Sequence, residues 1–159
     1  MSKGAIFGSQ EHIDRVSEAL VEVEFITANR TLTADDSGKL FVFNIASGAT
    51  ITLPGAFEGL HYDFFVKTAV TSNDYGIDTD ATDNFEGCLV VIDKDQAYSS
   101  TEALQKVCPA AGSEVHIDMN GSTKGGLAGS RLKLVAINND RWVVEGILVG
   151  DGNLASPLS

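Results

Sequence analysis

Cysteine is scarce in this chain, with two in 159 residues, Cys88 and Cys108. Two are too few for a disulfide scaffold, and a chain of this length can bury enough surface to fold without one. Cys88 lies in the apolar run Cys88-Leu89-Val90-Val91-Ile92 and reads as a small core hydrophobe. Cys108 precedes Pro109 at an expected strand end, and a bridge between the two is neither required nor excluded. Folding in a reducing cytosol is the expectation. Basic residues are also few: 11 Lys and Arg face 22 Asp and Glu, a net charge of −11 with a pI near 4.5. That excess repels phosphate backbones and anionic lipid, which argues against nucleic-acid and membrane partners. No apolar run approaches the roughly 20 residues of a membrane span. Met1 to Phe7 lacks the apolar stretch of about 7–15 residues that a secretory signal needs.

Catalytic signatures are missing as well. The chain holds no Gly-x-Ser-x-Gly elbow, no Walker A loop, no His-Glu-x-x-His and no Cys-x-x-Cys pair. The glycine-rich stretch Gly121 to Gly129 lacks a Gly-Lys-Ser/Thr ending and reads as a long loop before the strand at Arg131. The expectation is a protein that is not an enzyme and carries no cofactor.

What is present is two-residue periodicity. In Lys39 to Ile45 both alternating sets are apolar, Leu40 and Val42 against Phe41, Phe43 and Ile45, the pattern of a strand covered on both faces. Thr50 to Leu53 alternates and stops at Pro54-Gly55, and Tyr62, Phe64 and Val66 alternate with Asp63, Phe65 and Lys67. Further strands are expected at Cys88–Ile92, Val115–Met119, Arg131–Ile137 and Arg141–Val149, the last with the single Trp. Asn138-Asn139-Asp140 between the final two reads as a hairpin turn of residues that tolerate positive φ. Short strands punctuated by Gly, Asn and Asp predict an all-β, single-domain antiparallel sandwich or barrel, jelly-roll-like or β-tulip-like. Residues 1–19 are expected to form an arm or short helix, with Ser9 as a possible cap. Residues 20–150 are the β-core, with a strand from about Leu20, and 151–159 are a tail. Gln96 to Thr123 reads as polar and loop-rich outside Val115–Met119, with a helical turn possible in Ser100 to Val107.

Three groups of residues are candidates for chemistry. The acidic run Asp74, Asp78, Asp80, Asp83 and Glu86 offers hard oxygen ligands, with Asp78, Asp80 and Asp83 as weak candidates for Ca²⁺. Its spacing fails the EF-hand pattern, so no metal is expected and a solvated loop is the plainer reading. Glu114, His116 and Asp118 fall on one face of a strand, where a polar outer face is the plainer reading. Tyr75 and Tyr98, in loop-like contexts, are the aromatics placed to stack on a sugar.

The segment Thr27-Ala28-Asn29-Arg30-Thr31-Leu32-Thr33-Ala34-Asp35-Asp36-Ser37-Gly38-Lys39 is distinctive. Gly48 to Pro54, Gly59-Leu60, Tyr62-Asp63-Phe64, Asp83 to Gly87, Arg131 to Leu134 and Arg141 to Gly146 continue the pattern to about Gly150. In these stretches the chain resembles the small capsid decoration, or cement, proteins of tailed bacteriophages. The two cysteines and the polar insertion Gln96 to Cys108 depart from that pattern. The resemblance implies a head-stabilising virion protein on the capsid exterior, made in the host cytoplasm, that bridges neighbouring major capsid protein subunits. It implies a homo-oligomer, a trimer first and a dimer second. Ile6, Phe7, Ile13, Val16 and Leu20 are the expected capsid-binding residues, because they precede the β-core and need a partner surface or their own domain to cover them. The alternative implied by related modules is a phage tail or fibre unit that binds host-surface carbohydrate, through Tyr75 and Tyr98. A β-sandwich hydrolase is a third, remote reading.

Overall fold

Alternating apolar and polar residues build the strands of a two-sheet protein. The computed structural model describes residues 20–95 and 103–159. Their elements are β1 (Val23–Ile26), β2 (Arg30–Thr31), a single 3-10 turn (Ala34–Asp36), β3 (Leu40–Phe43), β4 (Ala49–Thr52), β5 (His61–Val66), β6 (Tyr75–Asp78), β7 (Asn84–Asp93), β8 (Gln105–Glu114), β9 (His116–Met119), β10 (Arg131–Ala136) and β11 (Arg141–Gly150). There is no α-helix among the described residues. The all-β expectation holds.

One sheet runs β1-β3-β5-β10-β11-β7-β8 and the other β2-β4-β6-β9. Pairing within them is mixed, which corrects the antiparallel expectation. Neighbours β1 and β3, β3 and β5, β2 and β4, β4 and β6, and β7 and β11 are parallel. The reason lies in the turns. From β1 to β7 the chain changes sheet at every step, so each strand returns to its own sheet in the same direction. Turns such as Asp35 to Gly38 and Ser47-Gly48 carry the chain across the sandwich. Gly48, between β3 and β4, shows why such a turn needs glycine: at φ +81° a Cβ there would stand 2.6 Å from the Asp74 carbonyl oxygen.

The remaining neighbours are antiparallel: β6 with β9, β7 with β8, and β10 with both β5 and β11. The β10–β11 hairpin closes at Ile137 and Arg141, but not through positive φ at its tip. Asn138 Oδ1 accepts from the Asp140 N–H at 3.1 Å, a side-chain turn. Asn73 is the non-glycine residue at positive φ among the described residues. β8 corrects the loop-rich reading of its region: residues 105–107 are strand, and Cys108 sits within the strand. β8 is an edge strand, where Pro109 is tolerated.

The core lies between the sheets. Inward residues of the larger sheet, among them Phe41, Phe43, Tyr62, Phe64, Leu134, Trp142 and Leu148, face Ile51, Tyr75, Ile77, Ile117 and Met119 of the smaller one. A string of rings crosses this layer: Trp142–Tyr62 at 5.6 Å, Tyr62–Phe41 at 6.3 Å, Phe41–Phe64 at 5.6 Å, Phe64–Phe43 at 6.0 Å and Phe43–Tyr75 at 4.4 Å between centroids. Such pairs add about 0.5–1.5 kcal/mol each beyond the area they bury. β3 is covered on both faces as expected, since Val42 on the outer side is sealed between Phe25 and Phe65 of its neighbours.

The C-terminal segment is not a free tail. Leu154 and Leu158 join the core, and Ser159 accepts from the Val115 and His116 amides and donates to the His116 carbonyl. The segment thereby covers the open edge of β9.

Candidate functional site

The motif Thr27–Lys39 folds around one carboxylate. Asp36 is 6% exposed. Its Oδ1 accepts from Arg30 Nη2 at 2.8 Å and Lys39 Nζ at 3.0 Å, and its Oδ2 from the Thr33 N–H at 3.0 Å and Thr33 Oγ1 at 3.2 Å. The two cations reach onward to β1 and the residue before it. Arg30 pairs with Glu24, and Lys39 pairs with Glu22 at 3.1 Å. Arg30 also lies 5.8 Å over the Phe41 ring, and Tyr62 Oη donates to the Thr33 carbonyl at 2.9 Å. Burial pushes the Asp36 carboxyl up, but Lys39, the Thr33 amide and Arg30 together outweigh it and hold the group below its ordinary value. Asp36 and then Glu22 push the Lys39 ammonium up. The Tyr62 phenol is pushed up to about 12, by burial first and by the Asp36 charge second.

This hub decides what β1 shows to solvent. Glu24 is half-buried against Arg30, and Glu22, itself exposed, reaches Lys39, so the alternate residues Val21, Val23 and Phe25 fall on the other face. They are 62%, 50% and 53% exposed, and Leu20 is 70% exposed. An apolar strip thus stands where residues 1–19 join the domain. Of the expected capsid-binding residues, Leu20 is in this strip; Ile6, Phe7, Ile13 and Val16 lie outside the described residues.

The other candidates separate. Tyr75 is a correction: its ring is fully buried against Phe43, and its hydroxyl donates to the Ile45 carbonyl and, at 2.8 Å, the Thr68 carbonyl, so it offers no stacking face. The strand alternation that hides it was masked in the sequence by the neighbouring Asn73-Asp74 turn. Tyr98 lies outside the described residues. Asp78, Asp80 and Asp83 do not form a ligand set. Asp83 is buried and spends Oδ2 on the Ala56 amide at 2.6 Å, Asp78 holds His116 Nδ1 at 2.9 Å, and Asp80 is exposed. The carboxylates that do converge among the described residues are Asp93, Asp95 and Asp151, with oxygens within 4.8 Å of one another. Lys94 meets that group by pairing with Asp151 at 2.9 Å.

His116 and Asp118 face outward, opposite Ile117 and Met119, as alternation requires. Glu114 leaves that row: its Oε2 accepts from the Ala111, Gly112 and Ser113 amides at 2.8–3.1 Å. Burial raises its carboxyl, but these backbone donors more than offset that and lower it overall. Cys88 and Cys108 are both free, on adjacent strands but opposite faces, because Cys108 pairs with Leu89 in the register. Burial pushes the Cys108 thiol up.

Residue type alone marks Asp35-Asp36-Ser37-Gly38 as a turn and does not show the hub. The signal was available in the spacing Arg30, Asp35-Asp36, Lys39, a pair of acids between two bases in a chain poor in bases. Among the described residues no helix is long and apolar enough to cross a membrane. Compared with family models, curated proteins and solved structures, the chain matches none.

Proposed function

We propose that this chain is a phage virion protein that binds the outer surface of a capsid and stabilises contacts between major capsid protein subunits. The observation that carries the reading is the exposed strip Leu20, Val21, Val23 and Phe25, of which Val23 and Phe25 stand on the face of β1 opposite the Asp36 hub, continuous with residues 1–19. Exposed apolar side chains at the entry of an apolar-bearing segment need a covering surface, and another protein's face supplies one. The hub belongs to the motif that resembles decoration proteins, so the most specific part of the sequence is what presents the strip. Acidity elsewhere keeps such a protein off packaged or free DNA.

The carbohydrate-binding alternative rested on Tyr75 and Tyr98, and the burial of Tyr75 removes its first support. The test is co-sedimentation with purified capsids. The intact protein is expected to pellet with them. A chain lacking residues 1–19 and carrying Val23→Ser and Phe25→Ser is expected to remain folded and stay in the supernatant. Failure of the intact protein to bind any capsid would sink the reading, and undiminished binding by the altered chain would sink the assignment of the strip.

A further inference from the structure

The outer face of the seven-stranded sheet is not the charged surface that an acidic protein should present. One register row crosses six strands as Val42, Phe65, Arg131, Ile147, Val90 and Val107, apolar at every position but Arg131. Ile147 and Val107 are 52% and 58% exposed. Next to it runs Asp63, Lys133 and Glu145 on β5, β10 and β11. These three and Arg131 border a groove of about 570 Å³ whose apolar lining includes Ile92, Ile147 and Val149.

Two properties of this patch point the same way. Its charges balance, two acids with two bases, so the whole excess of 11 negative charges lies elsewhere on the chain. And among the described residues none of the four side chains makes an ion pair or hydrogen bond, although cross-strand neighbours lie side by side. Long charged side chains left unpaired beside an apolar row can satisfy one another across a contact between copies.

We infer that this face is where two copies of the chain pair, sheet against sheet, with Asp63 and Glu145 of each reaching Arg131 and Lys133 of the other. The acidic surfaces of this protein bring like charge to like charge; a neutral face carrying both signs does not. The size suffices. Six strands spaced about 4.8 Å and some 20 Å of strand length give roughly 500 Å² per copy, near 1,000 Å² for the pair, the lower bound for a specific interface. A face meeting its own copy closes as a two-fold dimer. The pairing stands whether or not the capsid reading does.

The test is the mass of the full chain in solution, by sedimentation equilibrium up to about 100 µM, a range that detects even weak pairing. A dimer of the 16.8 kDa chain is expected. Ile147→Asp is expected to give a monomer with an unchanged circular dichroism spectrum; Phe57→Asp, at an exposed apolar residue outside this sheet, is expected to stay dimeric. A second arm avoids dependence on one apolar site. A chain with Arg131→Glu and Lys133→Glu, and another with Asp63→Lys and Glu145→Lys, should each be monomeric alone and form a heterodimer when mixed. A monomer at all concentrations overturns the inference. So does a trimer, a dimer that survives Ile147→Asp, a dimer lost on removal of residues 1–19 alone, or two folded charge variants that ignore each other.

Discussion

Two charged clusters in this protein make an instructive contrast. At one end of the large sheet, Glu22, Glu24, Arg30, Asp36 and Lys39 are tied together, and the central carboxylate is almost sealed from water. At its middle, Asp63, Arg131, Lys133 and Glu145 stand close in register yet without partners among the described residues. The residue types are the same; the surroundings are not. A charge that is buried must be paired, or it costs several kcal/mol, so the first cluster is built into the fold. A charge that keeps its water loses little by standing alone, so the second cluster is free to act in a contact.

The largest break in this contrast should come at Asp36. Asp36→Ala leaves two cations and the Thr33 amide without their acceptor, and it should cost about 2–4 kcal/mol of stability, read by urea denaturation. Loosening of β1 should follow, seen as faster amide exchange at residues 23–26. If the loss is below about 0.5 kcal/mol, the size of an ordinary surface change, the hub is not structural.

A pH titration should separate the clusters next. The Asp36 carboxyl is lowered in the folded protein, so its unfolded value is the higher of the two. Its contribution is therefore complete above the ordinary value of 3.8 and is lost as pH falls through the lower folded value. Glu114 acts with the same sign, starting below 4.5. Asp36→Asn should flatten the acid limb of the stability curve; a limb of unchanged slope in that variant would assign acid unfolding elsewhere. The smallest effect on stability is expected at the middle of the sheet. Lys133→Ala should move the unfolding midpoint of the monomer by no more than about 0.5 kcal/mol, while weakening association between copies.

Much of the fold was legible in sequence because strand periodicity is local. Phe64 and Val66 alternate inward against Asp63 and Phe65, and His116 and Asp118 alternate outward, as two-residue spacing demands. Double-sided apolar character in Leu40 to Phe43 correctly marked a strand covered on both faces. The misses are long-range. Tyr75 looked like a loop residue until β6 was placed between β4 and β9, where its ring fills the core. β8 looked like a loop because its residues are small, polar and solvent-exposed, which an edge strand permits. Asp78, Asp80 and Asp83 looked like one acidic group, and each found a different environment once the strands were fixed. Of the strip at β1, only Leu20 was anticipated; Val23 and Phe25 needed the hub to decide which way the strand faces.

By itself the sequence determined an all-β chain, the in-and-out sense of most of its strands, the β10–β11 hairpin and a strongly acidic surface. These follow from residue type and a repeat of two, which need no knowledge of partners. Tertiary structure alone decided that the chain switches sheets at each step from β1 to β7 and so pairs in parallel there, that Asp36 gathers two cations around it, and that six strands align one apolar row on a neutral outer face. Each of those depends on residues far apart in the chain being brought into register, and a local pattern carries no record of which strand its neighbour will be.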